Sequence, residues 1–317
     1  MEDTNACGMS IAAMFKAAGD PMRLDILRIM QCDSFGVLEL CKVFSIQQPS
    51  MSHHLKVLAK AGLVATRREG NSIYYGRASS GDRDSQQRLM TFFKLVDQSR
   101  VSSSLAEEVE KIQAIRREQA KEFFQENAQR FIEQQDLIAS HKDYGSSVRR
   151  MLAADSNKNW LEIGPGDGEL LSEAVQDFAE VVAIDISEKI LERSRANLST
   201  TDEERVSFHC MDTSIASESG MRADVISCNM VLHHVPSPAN MMTEMADILE
   251  TKGQLVVTDL DQHDQDWARE ACGDLWLGFS PDQLNSWAES ADLVPGRSEY
   301  LALRNGFRVQ IREYLKH

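Results

Sequence analysis

Three glycines alternate along Trp160–Leu171 (WLEIGPGDGELL): Gly164, Gly166 and Gly168 follow an apolar run and precede a helical pattern. Glycine at this density lets a chain turn tightly off a strand end, and it admits a ligand to the backbone where a Cβ would obstruct it. A second apolar run, Val181–Ile184, ends in Asp185, an acid placed to accept hydrogen bonds from the vicinal hydroxyls of a ribose. Farther on stand groups able to move protons, the adjacent His233 and His234, then Asp259, Asp261 and His263. The six cysteines, Cys7, Cys32, Cys41, Cys210, Cys228 and Cys272, form no CxxC pair, so neither a zinc ribbon nor a disulfide scaffold is signalled.

The elements that must position these residues alternate in type. Candidate strands are Trp160–Ile163, Val181–Ile184, Val206–His209, Asp224–Cys228, Gln254–Thr258, Ser298–Leu303 and Phe307–Ile311; candidate helices are Gly168–Phe178, Ser187–Leu198, Ala239–Leu249 and Pro281–Glu289. Strands that are apolar throughout and separated by helices predict a parallel sheet covered on both faces. The short Arg304-Asn305-Gly306 turn makes the last two strands a hairpin, which adds an antiparallel strand.

At 317 residues the chain is long for one domain. Its net charge of −15 is unevenly spread: residues 1–80 carry nine Lys/Arg against seven Asp/Glu, and residues 151–317 carry thirteen against thirty. A slightly basic head on an acidic body fits a nucleic-acid contact confined to the head. No apolar run reaches the ~18–20 residues of a membrane helix and no leader pattern opens the chain, so a cytoplasmic protein without a membrane partner is expected.

In the head, Asp20-Pro21 ends one helix and caps the next, and a short helix spans Val37–Phe44. Ser45-Ile46-Gln47 then forms a turn before a helix over Gln48–Ala61, closed by Gly62. Met51, Leu55 and Leu58 face inward, leaving Gln48, Ser50, Ser52, His53 and Lys56 largely off that stripe. This is a helix-turn-helix, whose second helix reads the major groove from its N-terminal end. Leu63–Arg67 and Ile73–Arg77 flank a hairpin with Gly70-Asn71 at its tip, and Arg67 and Arg68 beside it are placed to meet phosphate.

FKAAGDPMRLDILRIM and QQPSMSHHLKVLAKAGLVATRREGNSIYY resemble the ArsR family of bacterial repressors over about residues 12–78. The resemblance implies a homodimeric winged-helix repressor that binds double-stranded operator DNA through Gln48, Ser50, Ser52, His53, His54, Lys56, Arg67 and Arg68. Metal-sensing members carry paired thiols where SFGVLELC here leaves Cys41 alone, and the helix Ser85–Gln98 holds one aspartate and no histidine. Soft-metal sensing needs several converging ligands. No metal site is therefore expected, and a metal-responsive repressor is the third-ranked reading.

Between Gly81 and Gly145 the chain has neither glycine nor proline, a helical signal. Ser104–Glu107 fits a capping box opening a helix with Leu105, Val109 and Ile112 on one face, continued by Phe123, Phe124, Ala128, Phe131 and Ile132. That stripe either packs on the next domain or forms a lid over a ligand. The expected division is a head of residues 1–98, a helical connector of residues 99–150 and a body of residues 151–317.

The body resembles the class I S-adenosylmethionine-dependent methyltransferases through LEIGPGDGELL, VVAIDIS, FHCMDT, ADVISCNMVLHHV and the terminal hairpin. The third glycine comes one position too early for the GxGxxG of nicotinamide-binding proteins. The expected fold class is therefore mixed α/β and α+β: a winged helix-turn-helix, a helical connector, and a Rossmann-like class I methyltransferase fold ending in an antiparallel hairpin. The resemblance implies S-adenosylmethionine or S-adenosylhomocysteine as cofactor. Glu162, Gly164, Pro165, Gly166 and Gly168 would surround its amino-acid part, Asp185 its ribose and Ile186 its adenine. Asp212 and Thr213 would take the adenine amino group, with Asn229 and Met230 at the methyl-donor end. His233 and His234 are the candidate catalytic bases, although such a pair is common in this fold whatever the substrate. The segment Asp259–Ser280 reads as a lid or acceptor-site insertion. The leading expectation is a repressor for which the cofactor is a small-molecule effector reporting on the methyl cycle or methionine genes. The alternative is a regulator that is also an active small-molecule methyltransferase.

Overall fold

A computed structural model describes residues 10–31, 33–69, 72–80, 82–265 and 267–317, and in it the chain divides into two compact units, Met1–Arg116 and Arg117–His317. The hairpin tip Gly70-Asn71 lies outside the described residues, as do the side chains of 120–136 and with them the Phe123–Ile132 stripe.

The first unit opens with α1 (Ile11–Ala18) and α2 (Pro21–Ile29). Asp20 caps α2 as its type predicts, accepting from the Arg23 N–H at 3.0 Å, with Pro21 at the first helical position. A two-residue strand, β1 (Phe35–Gly36), leads into α3 (Val37–Phe44). Ser45 turns the chain with a left-handed φ of 52°, and α4 (Gln48–Lys60) follows. Gly62, at φ 71°, ends α4 where a Cβ would be strained, and the Leu63 N–H closes back on Leu58 O at 3.1 Å. β2 (Val64–Glu69) and β3 (Ser72–Arg77) form the wing, in a sheet of order β1-β3-β2. The helix after it, α5 (Arg83–Val96), begins two residues earlier than the apolar spacing suggests because Asp82 caps it, accepting from Ser85 N–H at 2.9 Å.

The next helix, α6 (Ser103–Ile138), starts in the first unit and ends in the second. Its cap is Ser102, whose hydroxyl accepts from Leu105 N–H at 3.3 Å, and not Ser104 as read from the sequence. Ser102, Ser103 and Ser104 are equivalent by type, so composition does not choose among them. The beginning of α6 is fastened to the head. Gln113 donates to Asp33 at 2.5 Å, and the buried Arg116 grips both carboxylate oxygens of Glu39 on α3 at 2.9 and 2.6 Å. Part of the stretch read as connector is thus core-bound.

The second unit adds α7 (His141–Met151), β4 (Asn159–Ile163), α8 (Glu169–Ala174), β5 (Glu180–Asp185), α9 (Glu188–Asn197), α10 (Thr200–Glu203) and β6 (Val206–Cys210). It continues with α11 (Thr213–Glu218), β7 (Ala223–Asn229), α12 (Pro238–Ile248), β8 (Leu249–Leu260), α13 (Trp267–Cys272), α14 (Pro281–Ser290), β9 (Leu293–Ala302) and β10 (Arg308–Lys316). The sheet order is β6-β5-β4-β7-β8-β10-β9, parallel except for β10, which runs antiparallel to both neighbours. The fold class read from the sequence is the one observed. Several details differ: β9 begins at Leu293, five residues before the expected Ser298, and α10, α11 and α13 were not expected. The helix expected over Gly168–Phe178 is α8 followed by a tighter turn at Val175–Asp177. β8 starts at Leu249, through a polar stretch that apolar patterning passes over. β10 continues past Ile311 because its buried polar residues are paired: Arg312 with Asn285, and Glu313 with Arg297 and Gln254. No helix of the described residues is long and apolar enough to cross a membrane.

Candidate functional site at the carboxyl edge of the sheet

β4 is the first strand of the sheet, with β5 on one side and β7 on the other, so chain order reverses beside it. Ligands of open α/β sheets bind in the crevice that such a reversal opens at the strands' carboxyl ends. Ile163 pairs with Ile184 on one side and Cys228 on the other, which sets Gly164, Asp185 and Asn229 side by side along that edge. Met211 N–H donates to Asp185 O at 3.0 Å, so Asp212 comes next in the row. Its carboxylate caps α11, accepting from Ile215 N–H at 2.9 Å and the Ser214 hydroxyl at 2.7 Å. Capping is thus what fixes Asp212, as an acid at a helix start usually is fixed.

Gly164 and Gly166 carry the loop. Gly164 has φ +67°, and a Cβ there would meet Val231 Cγ2 at 2.5 Å. Gly166 has φ +55°, yet a Cβ would meet nothing within 4 Å. The first is glycine for packing and backbone shape together; the second opens on empty space. Pro165 is buried and its carbonyl accepts from Gly168 N–H at 2.8 Å. Under the loop, Glu162 accepts from Asn229 Nδ2 at 3.1 Å and from the Ser227 hydroxyl, which itself accepts from the Trp160 indole at 2.5 Å. Burial pushes Glu162 up to about 8 against these hydrogen bonds, so it holds its proton at neutral pH. Burial likewise pushes Asp185 up to about 7, opposed by the Ser187 and Ile186 amides. Asn229 Oδ1 is buried without a hydrogen-bond partner among the described residues, and Met230 takes a left-handed φ of 55°. Strain and an unmet acceptor thus occur together at one strand end.

Ile186 is exposed at this edge, as is Ile215, which the sequence reading did not single out. Thr213 does not join the row. Its hydroxyl donates to Glu244 on α12, and the residue is buried, so a β-branched side chain after an acidic cap has been used for packing.

Beyond β7 the two histidines are buried, His233 at 1% and His234 at 7% exposure. His233 Nδ1 stands 2.8 Å from Asp259 Oδ1, and the His233 N–H reaches Asp259 Oδ2 at 3.3 Å. Burial alone would lower His233, but Asp259 and Asp274 outweigh it and hold its pKa raised. Burial, then the charge of His233, drives His234 well down. Asp274 was not among the sequence candidates. It arrives from the segment read as a lid, because Leu275 and Trp276 N–H groups both bond His233 O, at 2.9 and 3.1 Å. Asp261 pairs with Arg308, and the His263 ring meets Phe307 edge-on at 4.8 Å.

On α4 the outward face carries Gln48, Ser50, Ser52, His53 and Lys56, all exposed, while Met51, Leu55 and Leu58 are buried. His54 does not join that face: it is turned inward, its Nδ1 3.8 Å from Asp20 Oδ1. Arg67 and Arg68 pair with Tyr74 and Ile73 in the wing and, as strand neighbours, point to opposite faces. Arg68 is exposed and Arg67 half-buried.

The methyltransferase-domain family matches residues 117–296, more than half of the chain. The chain belongs to that family. Its head is an ArsR-type helix-turn-helix, since the arsR family of bacterial regulatory proteins matches residues 20–66. The ubiquinone biosynthesis O-methyltransferase of Coxiella burnetii is 27% identical over 150 residues, covering 43% of this chain and 63% of that protein. The arsenical resistance operon repressor of Staphylococcus xylosus is 37% identical over 65 residues, covering 20% of this chain and 62% of the repressor. The chain thus spans less than two thirds of each relative. A chain from the complex between the Haloferax volcanii Trm112 methyltransferase activator and a methyltransferase is 15% identical. It covers 62% of this chain and 98% of that one at a TM-score of 0.52, a likeness of fold alone. In methyltransferase-family terms, the structure gathers Glu162, the glycine loop, Asp185, Ile186, Asp212, Asn229 and Met230 along one edge, with His233 and His234 just beyond it.

Proposed function

We propose that this ArsR-type regulator uses its methyltransferase body to bind S-adenosylmethionine or S-adenosylhomocysteine as an effector of operator binding. The observation that carries the reading is the row of Gly164, Asp185, Asp212 and Asn229, with open space over Gly166, in a chain whose head presents a polar recognition-helix face. Asp185 accepts the ribose hydroxyls, Ile186 and Ile215 flank the adenine, and Asn229 Oδ1 gains a donor. Glu162 and the loop amides hold the amino-acid part. When bound, the methylated cofactor supplies an electrophilic methyl group. The head acts as a homodimer, an arrangement that its exposed Ile11, Phe15 and Leu95 on α1 and α5 support. The controlled genes belong to the methyl cycle or methionine metabolism, as the fusion of these two families implies.

An effector shifts DNA binding only if it binds the operator-bound and operator-free conformations unequally. Fluorescence anisotropy with the DNA upstream of the chain's own gene, titrated with and without each cofactor form, reads this directly. A change of at least about fivefold is expected. An operator affinity that is equal for cofactor-free and cofactor-saturated protein rejects the effector role.

A second reading is favoured by one observation, the buried His233–Asp259 pair beside the methyl-donor end. A base so oriented takes a proton from an acceptor hydroxyl or amine as the methyl group transfers, and the body is then also a small-molecule methyltransferase. Incubation with S-adenosylmethionine and phenolic or amine acceptors, with S-adenosylhomocysteine release as readout and Asp185→Ala as control, decides it.

A further inference from the structure

The segment between β8 and α14 returns to the carboxyl edge of the sheet through the Asp261–Phe279 bridge, and Trp276 Nε1 fastens it to Val235 O at 2.7 Å. The return carries Asp274, 2% exposed, onto the histidine pair. Asp274 Oδ1 lies 3.9 Å from His233 Nε2 and 3.6 Å from His234 Nδ1, and one ligand atom from each of the three residues falls within 4.8 Å of the others. These separations exceed hydrogen-bond length. They are close to those of donors sharing one cation: metal–ligand bonds of about 2.0–2.1 Å in a tetrahedron put donor atoms roughly 3.3–3.4 Å apart.

The orientation of His233 points the same way. Its Nδ1 lies 2.8 Å from Asp259 Oδ1, and in the neutral tautomer that donates there the Nε2 lone pair faces Asp274. Nε2 is buried and makes no hydrogen bond among the described residues. A carboxylate behind a histidine, with the far nitrogen aimed at two further ligands, is how metal-binding imidazoles are oriented. Two buried carboxylates, Asp259 and Asp274, also place negative charge where a dication would balance it.

We propose that His233 Nε2, His234 Nδ1 and Asp274 form a binding site for a divalent transition metal, zinc by preference, with Asp259 as the positioning carboxylate. Two imidazoles and one carboxylate suit zinc; calcium and magnesium select all-oxygen sets. Three protein ligands leave a fourth position for water or an oxygen or nitrogen ligand, as in zinc sites that are not closed. The site lies just beyond the cofactor row and stands whether or not that row binds an adenosyl ligand, but a metal on His233 Nε2 excludes the base role of the second reading.

The test uses the full-length protein, stripped with EDTA, dialysed, and titrated calorimetrically with zinc ions alone. Cobalt(II) uptake is followed in parallel by the visible absorption of a tetrahedral centre. One zinc per chain is expected. Asp274→Asn and His234→Gln should each weaken binding more than tenfold and abolish the cobalt spectrum, and Asp259→Asn should weaken it about tenfold. His53→Gln/His54→Gln in the head should change nothing. Each variant is scored only if it unfolds cooperatively in EDTA; should Asp274→Asn fail that, His234→Gln stands in its place. Wild-type protein that binds no more zinc than the folded His233→Gln/Asp274→Asn double variant, or keeps its cobalt spectrum in that variant, overturns the proposal. Such a result leaves the cluster a buried histidine–carboxylate network.

Discussion

The chain carries two adjacent histidine pairs that are indistinguishable as text. His53 and His54 sit on a helix that splits them between solvent and Asp20, with ring centroids 6.1 Å apart. His233 and His234 follow a strand end in the body, both buried, with centroids 3.9 Å apart and carboxylates on two sides. The environment assigns their chemistry. In the head, helical geometry sends neighbouring side chains about 100° apart, so one histidine is offered to a partner and the other to the fold. In the body, a tight turn and a returning segment force both imidazoles into one desolvated space, where each group's charge depends on the others.

The sharpest way to separate the two regions is Gly166→Val. A β-branched residue at φ +55° strains the backbone and fills the space over the loop, so S-adenosylhomocysteine affinity should fall at least a hundredfold by calorimetry, with DNA affinity of the cofactor-free protein unchanged. Next in size, His233→Ala takes the imidazole from buried Asp259, leaving it only the amides of residue 233 and Leu260, and should cost the body about 3 kcal/mol. All four tryptophans, Trp160, Trp267, Trp276 and Trp287, lie in residues 151–317, so fluorescence-monitored denaturation in EDTA reads the body alone. His53→Ala should leave that transition in place and instead weaken operator binding about tenfold, as losing one groove contact does. His54→Ala should touch operator binding less than His53→Ala; an equal loss breaks the division drawn within the head pair.

Asp185 supplies a pH signature for the body. Its carboxylate is raised to about 7 and must be ionised to accept from two hydroxyls, so S-adenosylhomocysteine affinity should be level above that point and fall below it. Between about pH 8 and pH 6 the ionised fraction drops roughly tenfold, and affinity should drop with it. Asp185→Asn should bind weakly at both values with that component gone. The smallest effect belongs to Arg68→Ala, which should lower the salt dependence of DNA binding by about one ion without changing sequence preference.

Local chemistry made much of this molecule legible from sequence. Asp20, Pro21 and Gly62 each act within a few residues, and they fix α2 and the end of α4 where their types require. The glycine spacing and Asp185 likewise act on neighbouring strand ends, so register alone brings them together. What the sequence hid was decided at long range. Asp274 meets the histidines because two amides of its segment bond to His233 O, contacts between residues 42 and 43 positions apart for which composition gives no sign. Nothing in the sequence singles out Arg116 and Gln113 within the connector, yet Glu39 and Asp33 draw them into the head's core. Thr213 and His54 were assigned by position in a motif, and each turns toward a carboxylate of the fold, Glu244 or Asp20. The polar half of β10 was unreadable as strand because its burial depends on partners from three other elements.

The hydroxyl of Ser227 touches the indole of Trp160 on one side and the carboxyl of Glu162 on the other. A bound ligand ammonium would favour the Glu162 carboxylate, its proton leaving to solvent, and would thereby alter the hydrogen bond of a buried fluorophore two atoms away. If the proposed cofactor occupies the loop, occupancy is expected to show in the emission of Trp160 without any label.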